Sequence, residues 1–363
     1  MVTIQQQSGS KMPNEDLPLR PSSMLELPHT LREAITAALA EVPSQRWLRA
    51  AQELSERYRA ERHGGEAALA RGPDQALGYV ALIMPATYAQ VRGALAAIAA
   101  RMPTWQPQRV LDLGSGPGTA LWAVADQWPA ATTLYAYERE ASLIALGQRL
   151  TRQASHALQT IRWEQQDLSQ WRPTEAAAGR REDGPFDLVI IAHVLNELEQ
   201  GQRQRLIDLA WARTSGMLLV IEPGTSQAFP IVQSARNQLL AAGARTVAPC
   251  PHNHPCPLSA DFCHFPQRLA RPEFQKRARG APSAWEDAKY SYAAMARMAP
   301  LHPSAARVIR EPTFNKAYAE AVICQPGGVG PYRALKRHKA AFRTVKDLVW
   351  GQEFDPNAHE LSG

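Results

Sequence analysis

Three cysteines, Cys250, Cys256 and Cys263, fall within fourteen residues, and a fourth, Cys324, follows sixty residues later. The first 249 residues contain none. Four thiols confined to the last third of a chain with no secretory pattern point to metal rather than to a disulfide framework. The intervals of five, six and sixty residues lack the C-x2-C pair of a zinc ribbon. Irregular spacing among prolines suits an iron–sulfur cluster, because four thiolates must wrap a bulky cubane. Zinc held by a mixed set drawing on His252, His254 or His264 is the alternative, and buried thiols without any metal are the plainest reading.

A second chemistry lies upstream, in Val110-Leu111-Asp112-Leu113-Gly114-Ser115-Gly116-Pro117-Gly118-Thr119. An apolar strand runs into alternating glycines and then a helix. Glycines let the backbone turn tightly and approach a ligand at the carboxyl end of the strand. A dinucleotide site spaces them G-x-G-x-x-G around a pyrophosphate. Here the third glycine comes one residue early and Asp112 precedes the loop, which disfavours a crowded anion and favours a sulfonium nucleoside with an amino group. Glu138 closes the next strand, where a carboxylate can accept both ribose hydroxyls. Asp167 follows the third strand, within reach of an adenine amino group. Together these elements resemble the class I S-adenosylmethionine methyltransferases. Ala192-His193-Val194-Leu195-Asn196-Glu197-Leu198 occupies the position that faces the methyl donor in that fold, which brings in His193. The Asn-Pro-Pro-Tyr loop that cradles an exocyclic amine is absent. Glu197 and Glu222 could face the cleft, but no catalytic residue is assigned. Methyl transfer needs mainly positioning and desolvation.

Two basic runs flank the later cysteines. Arg268, Arg271, Lys276, Arg277 and Arg279 follow the third; Arg333, Lys336, Arg337, Lys339, Arg343 and Lys346, with Tyr332, Phe342 and Trp350 interleaved, follow the fourth. Cations with aromatics suit RNA, through phosphate neutralisation and base stacking; a solvated helix face is the bland reading. The net charge of +6 and pI of about 9.2 are only mildly basic, so the distribution matters more than the sum.

The elements that must position these groups are legible in outline. The 363 residues, 45% hydrophobic and 20% charged, suit a globular chain, and no apolar run reaches the roughly 18 residues of a membrane helix. Residues 1–27 read as a mobile tail; Glu15 and Asp16 argue against a transit peptide, which gives an intracellular chain. Residues 28–105 read as a helical cap, with one helix over Leu31–Arg62, a break at His63-Gly64-Gly65 and another helix over Tyr88–Ala100. Residues 106–248 alternate strand and helix, with strands near Arg109–Leu113, Thr133–Tyr137, Thr160–Glu164, Asp187–Ile191 and Met217–Ile221, the pattern of a doubly wound parallel sheet. Glu175–Gly184 reads as a charged surface loop. Residues 249–325 form a cysteine-rich insertion ending in a last core strand, Tyr318–Gln325, and residues 326–363 a basic segment. Bound metal would order the insertion and present both basic runs as one surface.

These stretches resemble a known family, the methyltransferase-like proteins of the mitochondrial small ribosomal subunit and their bacterial relatives. The resemblance rests on the glycine loop, on Cys250-Pro251-His252-Asn253-His254-Pro255-Cys256-Pro257-Leu258 and on Phe262-Cys263-His264-Phe265-Pro266-Gln267-Arg268. Glu53-Leu54-Ser55-Glu56-Arg57-Tyr58-Arg59 and Met84-Pro85-Ala86-Thr87-Tyr88 add to it, so that it spans roughly Leu27 to Trp350. The family implies a class I methyltransferase fold, a four-iron–four-sulfur cluster on Cys250, Cys256, Cys263 and Cys324, and association with small-subunit ribosomal RNA during assembly. It implies S-adenosylmethionine on Asp112, Gly114, Gly116, Gly118 and Glu138, to which the reading of the residues themselves adds Ser115, Asp167 and His193. The expected setting is the cytoplasm of a bacterium or the matrix of a mitochondrion, with no membrane partner and a monomer when free. One departure stands out: relatives carry a regular basic hairpin after the last cysteine, whereas Gln325 to Lys336 is rich in glycine and proline. The expected function is that of an S-adenosylmethionine-binding, iron–sulfur methyltransferase-like protein acting on small-subunit ribosomal RNA in ribosome assembly or translation, with two alternatives: a non-catalytic assembly factor with a structural zinc or cluster site, and a small-molecule methyltransferase.

Overall fold

A computed structural model of the chain describes residues 24–61, 70–172 and 184–356. Glu15 and Asp16, the His63-Gly64-Gly65 break and nearly all of the 175–184 loop lie outside the described residues. The helical cap comprises α1 (His29–Ala40), α2 (Ser44–Glu61), α3 (Gly72–Leu82) and α4 (Met84–Arg101). The single helix expected over Leu31–Arg62 is thus two. Pro43 cannot donate to a helical ladder and biases Val42 away from helical backbone, so the chain turns there. Pro85, by contrast, sits in the first turn of α4, where a missing N–H costs nothing. α4 is buried nearly all round, with Tyr88, Val91, Ala94, Leu95 and Ile98 at 1% exposure or less.

The cap lies on a mixed sheet. Its strands are β1 (Arg109–Leu113), β2 (Thr133–Glu138), β3 (Arg162–Gln165), β4 (Phe186–Ala192), β5 (Thr214–Pro223), β6 (Arg245–Ala248), β7 (Phe265–Ala270) and β8 (Trp285–Ala296). The order is β3-β2-β1-β4-β5-β8-β6, with β7 also on β8. β1 to β5 are parallel, and β8 runs antiparallel to β5. The helices α5 (Thr119–Gln127), α6 (Ala141–Leu150), α7 (His156–Gln159), α8 (Gln200–Ala212) and α9 (Phe229–Ala241) connect them. The sequence reverses direction between β1 and β4, the point at which open α/β sheets bind ligands. This is a mixed α/β sheet similar to the Rossmann-like fold of class I methyltransferases. Both faces are covered: Val110, Leu188 and Leu219 belong to one apolar cluster and Leu111, Val189 and Leu218 to the other, all at 0% exposure.

The rest differs from expectation. The last strand of the core sheet is β8; the strand over Tyr318–Gln325 exists, but it belongs to a second, five-stranded sheet. After α10 (Glu273–Arg279), which links β7 to β8, that sheet contains β9 (Ala306–Val308), β10 (Thr313–Phe314), β11 (Tyr318–Gln325), β12 (Gly328–Leu335) and β13 (Glu353–Phe354), with α11 (Lys339–Asp347) packed on it. The glycine- and proline-rich stretch after Cys324 is a hairpin after all, β11 pairing with β12 from Gln325↔Gly328 to Tyr318↔Leu335. Gly328, at φ 129°, takes a conformation that only glycine adopts easily at its turn. The end of the expected tail is anchored: Leu25 exchanges backbone hydrogen bonds with Arg268 and Ala270 (2.9 and 2.8 Å), and Leu27 is buried.

One buried arginine links these parts. Arg101, at the end of α4 and 1% exposed, donates to Glu353 Oε1 (2.6 Å), to the Val247 carbonyl and to the Cys250 carbonyl (3.0 Å). Arg307 on β9 donates to the same Glu353 oxygen (2.7 Å). Cap, core sheet, cysteine segment and second sheet therefore meet at one charge cluster.

Candidate functional site

The glycine loop is built as its sequence requires. Gly114, Gly116 and Gly118 all have positive φ (77°, 54° and 84°), which costs other residues dearly. The amides of Gly114 and Ser115 donate to the Tyr137 carbonyl (2.8 and 3.0 Å), which ties the loop to β2. A Cβ on Gly114 would lie 2.3 Å from Val194 Cγ2, so the loop after β4 presses directly on the glycine loop. Gly118 begins α5, with the Trp163 ring 3.1 Å from where its Cβ would be.

Glu138 ends β2 beside that loop. Its Oε2 accepts from Gly116 N (2.8 Å) and its Oε1 from Glu140 N (2.9 Å), which fixes both oxygens while leaving lone pairs open. Burial raises its pKa, opposed by these backbone donors. Asp112 lies behind the loop at 1% exposure, and its Oδ2 has no hydrogen-bond partner. Burial, then the Glu138 charge, pushes it up to about 8. Asp167 Oδ1 caps Ser169 N (2.9 Å).

A cleft of about 1090 Å³ opens over this arrangement. Of the residues expected from sequence, Gly114, Gly116, Glu138, Asp167 and His193 line it; Asp112, Ser115 and Gly118 shape the loop from behind. An unpartnered buried carboxylate oxygen, a pinned Glu138 and a glycine-only backbone fit a nucleoside with a cationic amino acid tail. The volume exceeds the roughly 300–1,000 Å³ of ordinary ligand pockets and leaves room for a second reactant.

Sequence reasoning missed the roof. Tyr79 from α3 and Thr87 and Gln90 from α4 line the same cleft, and Tyr79 lies 3.7 Å from the place a Gly116 Cβ would occupy. Burial, then the Glu138 charge, raises the Tyr79 phenol. The available signal was Thr87 and Gln90, polar residues inside an otherwise apolar helix. Glu222, noted as a possible cleft acid, is fully buried and accepts from Leu195 N (2.8 Å). Its pKa is raised to about 8 by burial.

The cysteines occupy the other side of β8. Cys250, Cys256 and Cys263 lie in the segment between β6 and β7, and Cys324 on β11. Burial raises Cys263 well above the thiol range, followed by the charges of Cys250, Cys324 and Cys256. Cys324 is pushed to about 12 by burial, then by Cys250 and Cys256. Three thiols from the β6–β7 segment and one from β11 thus lie near enough for each to disfavour ionisation of the others. Among the described residues, however, no three or more His, Cys, Asp or Glu side chains converge closely enough to hold one metal ion. His252 Nε2 lies 3.6 Å from Cys324 Sγ. Buried Arg236 donates to the His252 and His254 carbonyls (2.8 and 3.0 Å), and Arg310 to the Phe262 carbonyl (2.9 Å). Ser291 Oγ donates to the Cys263 carbonyl (2.7 Å).

The first basic run is not loose charge. Arg268 pairs with Asp287, and Arg271 and Arg279 with Glu286. Arg268 also lies 3.8 Å from the centre of the Trp285 ring. The single surface expected from both runs is corrected accordingly: β8 acids pair with three of the five cations of the first. The second run remains a face. Arg337, Lys339 and Arg343 are exposed along β12 and α11, beside exposed Leu335, while Phe342 and Val345 pack inward.

The family described as mitochondrial small ribosomal subunit Rsm22 matches residues 73–355. This chain belongs to the Rsm22 family. Ribosome assembly protein METTL17, mitochondrial, from Homo sapiens is 25% identical over 295 residues, 76% of this chain and 61% of that protein. Rsm22-cox11 tandem protein 2, mitochondrial, from Schizosaccharomyces pombe is 26% identical over 229 residues, 56% of this chain and 29% of that protein. The chain thus spans under two thirds of the length of these Rsm22 relatives. Among solved structures, magnesium protoporphyrin IX methyltransferase from Synechocystis PCC 6803 with bound SAM is 12% identical, with a TM-score of 0.38 over 74% of this chain and 97% of that one.

Proposed function

We propose that this protein is an S-adenosylmethionine-binding factor of the small ribosomal subunit that works during subunit assembly, in contact with ribosomal RNA. The observation that carries the donor is the positive-φ glycine loop with Glu138 pinned at the mouth of the cleft. Gly114, Gly116 and Gly118 would admit the donor's close approach, Glu138 its ribose hydroxyls, and Asp167 its adenine amine. Asp112 would supply negative charge beneath its cationic tail, and His193 would face its methyl group. Family membership and the ribosome-assembly role in METTL17's name support the ribosomal setting. The exposed cations of β12 and α11 supply an RNA-facing surface. The same relatives, both named as mitochondrial, favour the mitochondrial matrix, and no described helix is long and apolar enough to cross a membrane.

Cys250, Cys256, Cys263 and Cys324 would hold a four-iron–four-sulfur cluster. The spacing of five, six and sixty residues, without the paired C-x2-C of a zinc ribbon, supports a bulky cubane over a single zinc ion. The cluster would join the core sheet to the second sheet.

Calorimetric titration with S-adenosylmethionine tests the donor site. Binding that weakens at least tenfold in Glu138→Ala is expected; no binding by the intact chain would end the reading. Iron and sulfide analysis of protein purified without oxygen tests the cysteines. About four of each per chain is expected; one zinc and no sulfide would replace the cluster.

A further inference from the structure

The loop after β4 carries a side chain held in one protonation form by a chain of hydrogen bonds. His193 has φ 59° and is the one non-glycine residue with positive φ among the described residues. Strained backbone of this kind persists where surrounding contacts fix it, often at functional sites. Its amide donates to the Ile221 carbonyl (2.8 Å), and its neighbour Val194 presses on Gly114. Its Nε2 lies 2.7 Å from Gln90 Oε1. Gln90 cannot turn over, because its Nε2 donates to the Lys289 carbonyl (3.0 Å) and the reversed amide would set oxygen against oxygen. The Gln90 oxygen must therefore accept, and His193 must carry its proton on Nε2. Nδ1 is left as a bare lone pair on a residue that lines the cleft beside the donor cradle.

Resting on the donor-binding reading above, we infer that His193 Nδ1 is the proton acceptor for a methyl-accepting group in this cleft, a neutral N–H or O–H of low basicity as found on a nucleobase or a ribose hydroxyl. The acceptor's lone pair takes the methyl group as the carbon–sulfur bond breaks, its electron pair passing to sulfur and leaving a neutral thioether. The acceptor's proton moves to Nδ1, and the imidazolium returns it to water. Burial holds the ring at about 4, so it stays neutral and weakly basic near pH 7. A weak base suffices for a proton made strongly acidic by the positive charge that nitrogen or oxygen gains on methylation. It does not suffice for an aliphatic ammonium of pKa ~10.4, which excludes lysine side chains as the preferred acceptor. Gln90 acts as a positioning residue.

The test uses the full chain with methyl-tritiated S-adenosylmethionine and two probes, protein-free small-subunit RNA from cells lacking this protein and a lysine-rich peptide. His193→Asn is the informative variant, because asparagine tolerates positive φ. Label should enter the RNA alone, and kcat at saturating donor should fall about a hundredfold to ten-thousandfold in His193→Asn. Nitrogen-15 chemical shifts should show the Nε2–H form in the intact chain and a mixture in Gln90→Leu. A chain that binds donor but labels no RNA overturns the inference and spares the donor site; a chain that binds no donor overturns both. Label in the peptide, an undiminished His193→Asn rate, or the Nδ1–H form would each overturn it as well.

Discussion

Glu353→Ala removes the carboxylate that two buried guanidinium groups share. Arg101 and Arg307 are 1% and 5% exposed, and both donate to the same oxygen, Glu353 Oε1, at 2.6 and 2.7 Å. Burial, then the Arg307 charge, already pulls the Arg101 pKa below its ordinary value. Removing one partner of a buried pair costs ~3–5 kcal/mol, mostly through the charge left behind. Glu353 is 33% exposed, so water screens part of the effect and the low end, about 3 kcal/mol, is expected. That is a large share of the ~5–15 kcal/mol that holds a typical fold together. Urea unfolding should show the loss, and Arg101→Met placed in the same background should recover part of it by removing the stranded charge. Hydrogen exchange should speed first at β9, β11 and the Cys250 segment. A Glu353→Ala loss below ~0.5 kcal/mol, or a double variant no more stable than the single one, would refute the reasoning.

Gly114→Ala should cost ~1–3 kcal/mol in denaturation and abolish donor binding by calorimetry, since the new methyl meets Val194 at 2.3 Å on backbone at φ 77°. Without ligand, stability should fall as pH rises between about 4 and 8. Asp112 stays neutral in the native chain up to about 8 but ionises near 3.8 once unfolded, so the unfolded state gains charge first. Asp112→Asn should shrink the difference between urea midpoints at pH 5 and pH 8. Arg236→Ala should loosen the cysteine segment by removing its clamp on His252 and His254, read as faster alkylation of Cys250 and Cys256. Neutralising Arg337, Lys339 and Arg343 should weaken RNA binding and reduce its salt slope by ~1 for each phosphate that no longer meets a cation.

The parallel half of the fold was legible because β1, β2, β4 and β5 are short apolar runs closed by turn signals, and because Asp112, the glycines and Glu138 stand at fixed distances from strand ends. β8 was not. Its centre, Tyr290-Ser291-Tyr292-Ala293-Ala294-Met295-Ala296, is rich in alanine and lacks the branched residues that mark strands; pairing with β5 along one edge and β6 and β7 along the other decides its state. Without β8, the strand over Tyr318–Gln325 reads as the last of the core, which puts Cys324 on the wrong sheet. The roof residues Tyr79 and Gln90 escaped for another reason: periodicity assigns a helix but not the strand ends over which it lies. The first basic run misled because Glu286 and Asp287, which pair with three of its five cations, come from the unrecognised strand.

The division of the four thiols between two sheets also sets an order in time. At ~5–20 residues per second of synthesis, the sixty residues between Cys263 and Cys324 take several seconds to make. Through that interval three thiols wait without the fourth, which in the folded chain sits on β11 opposite Arg307 of β9. The complete set therefore exists only once the second sheet has closed. A metal group that required all four thiols would therefore load only onto a chain whose carboxyl-terminal third has folded.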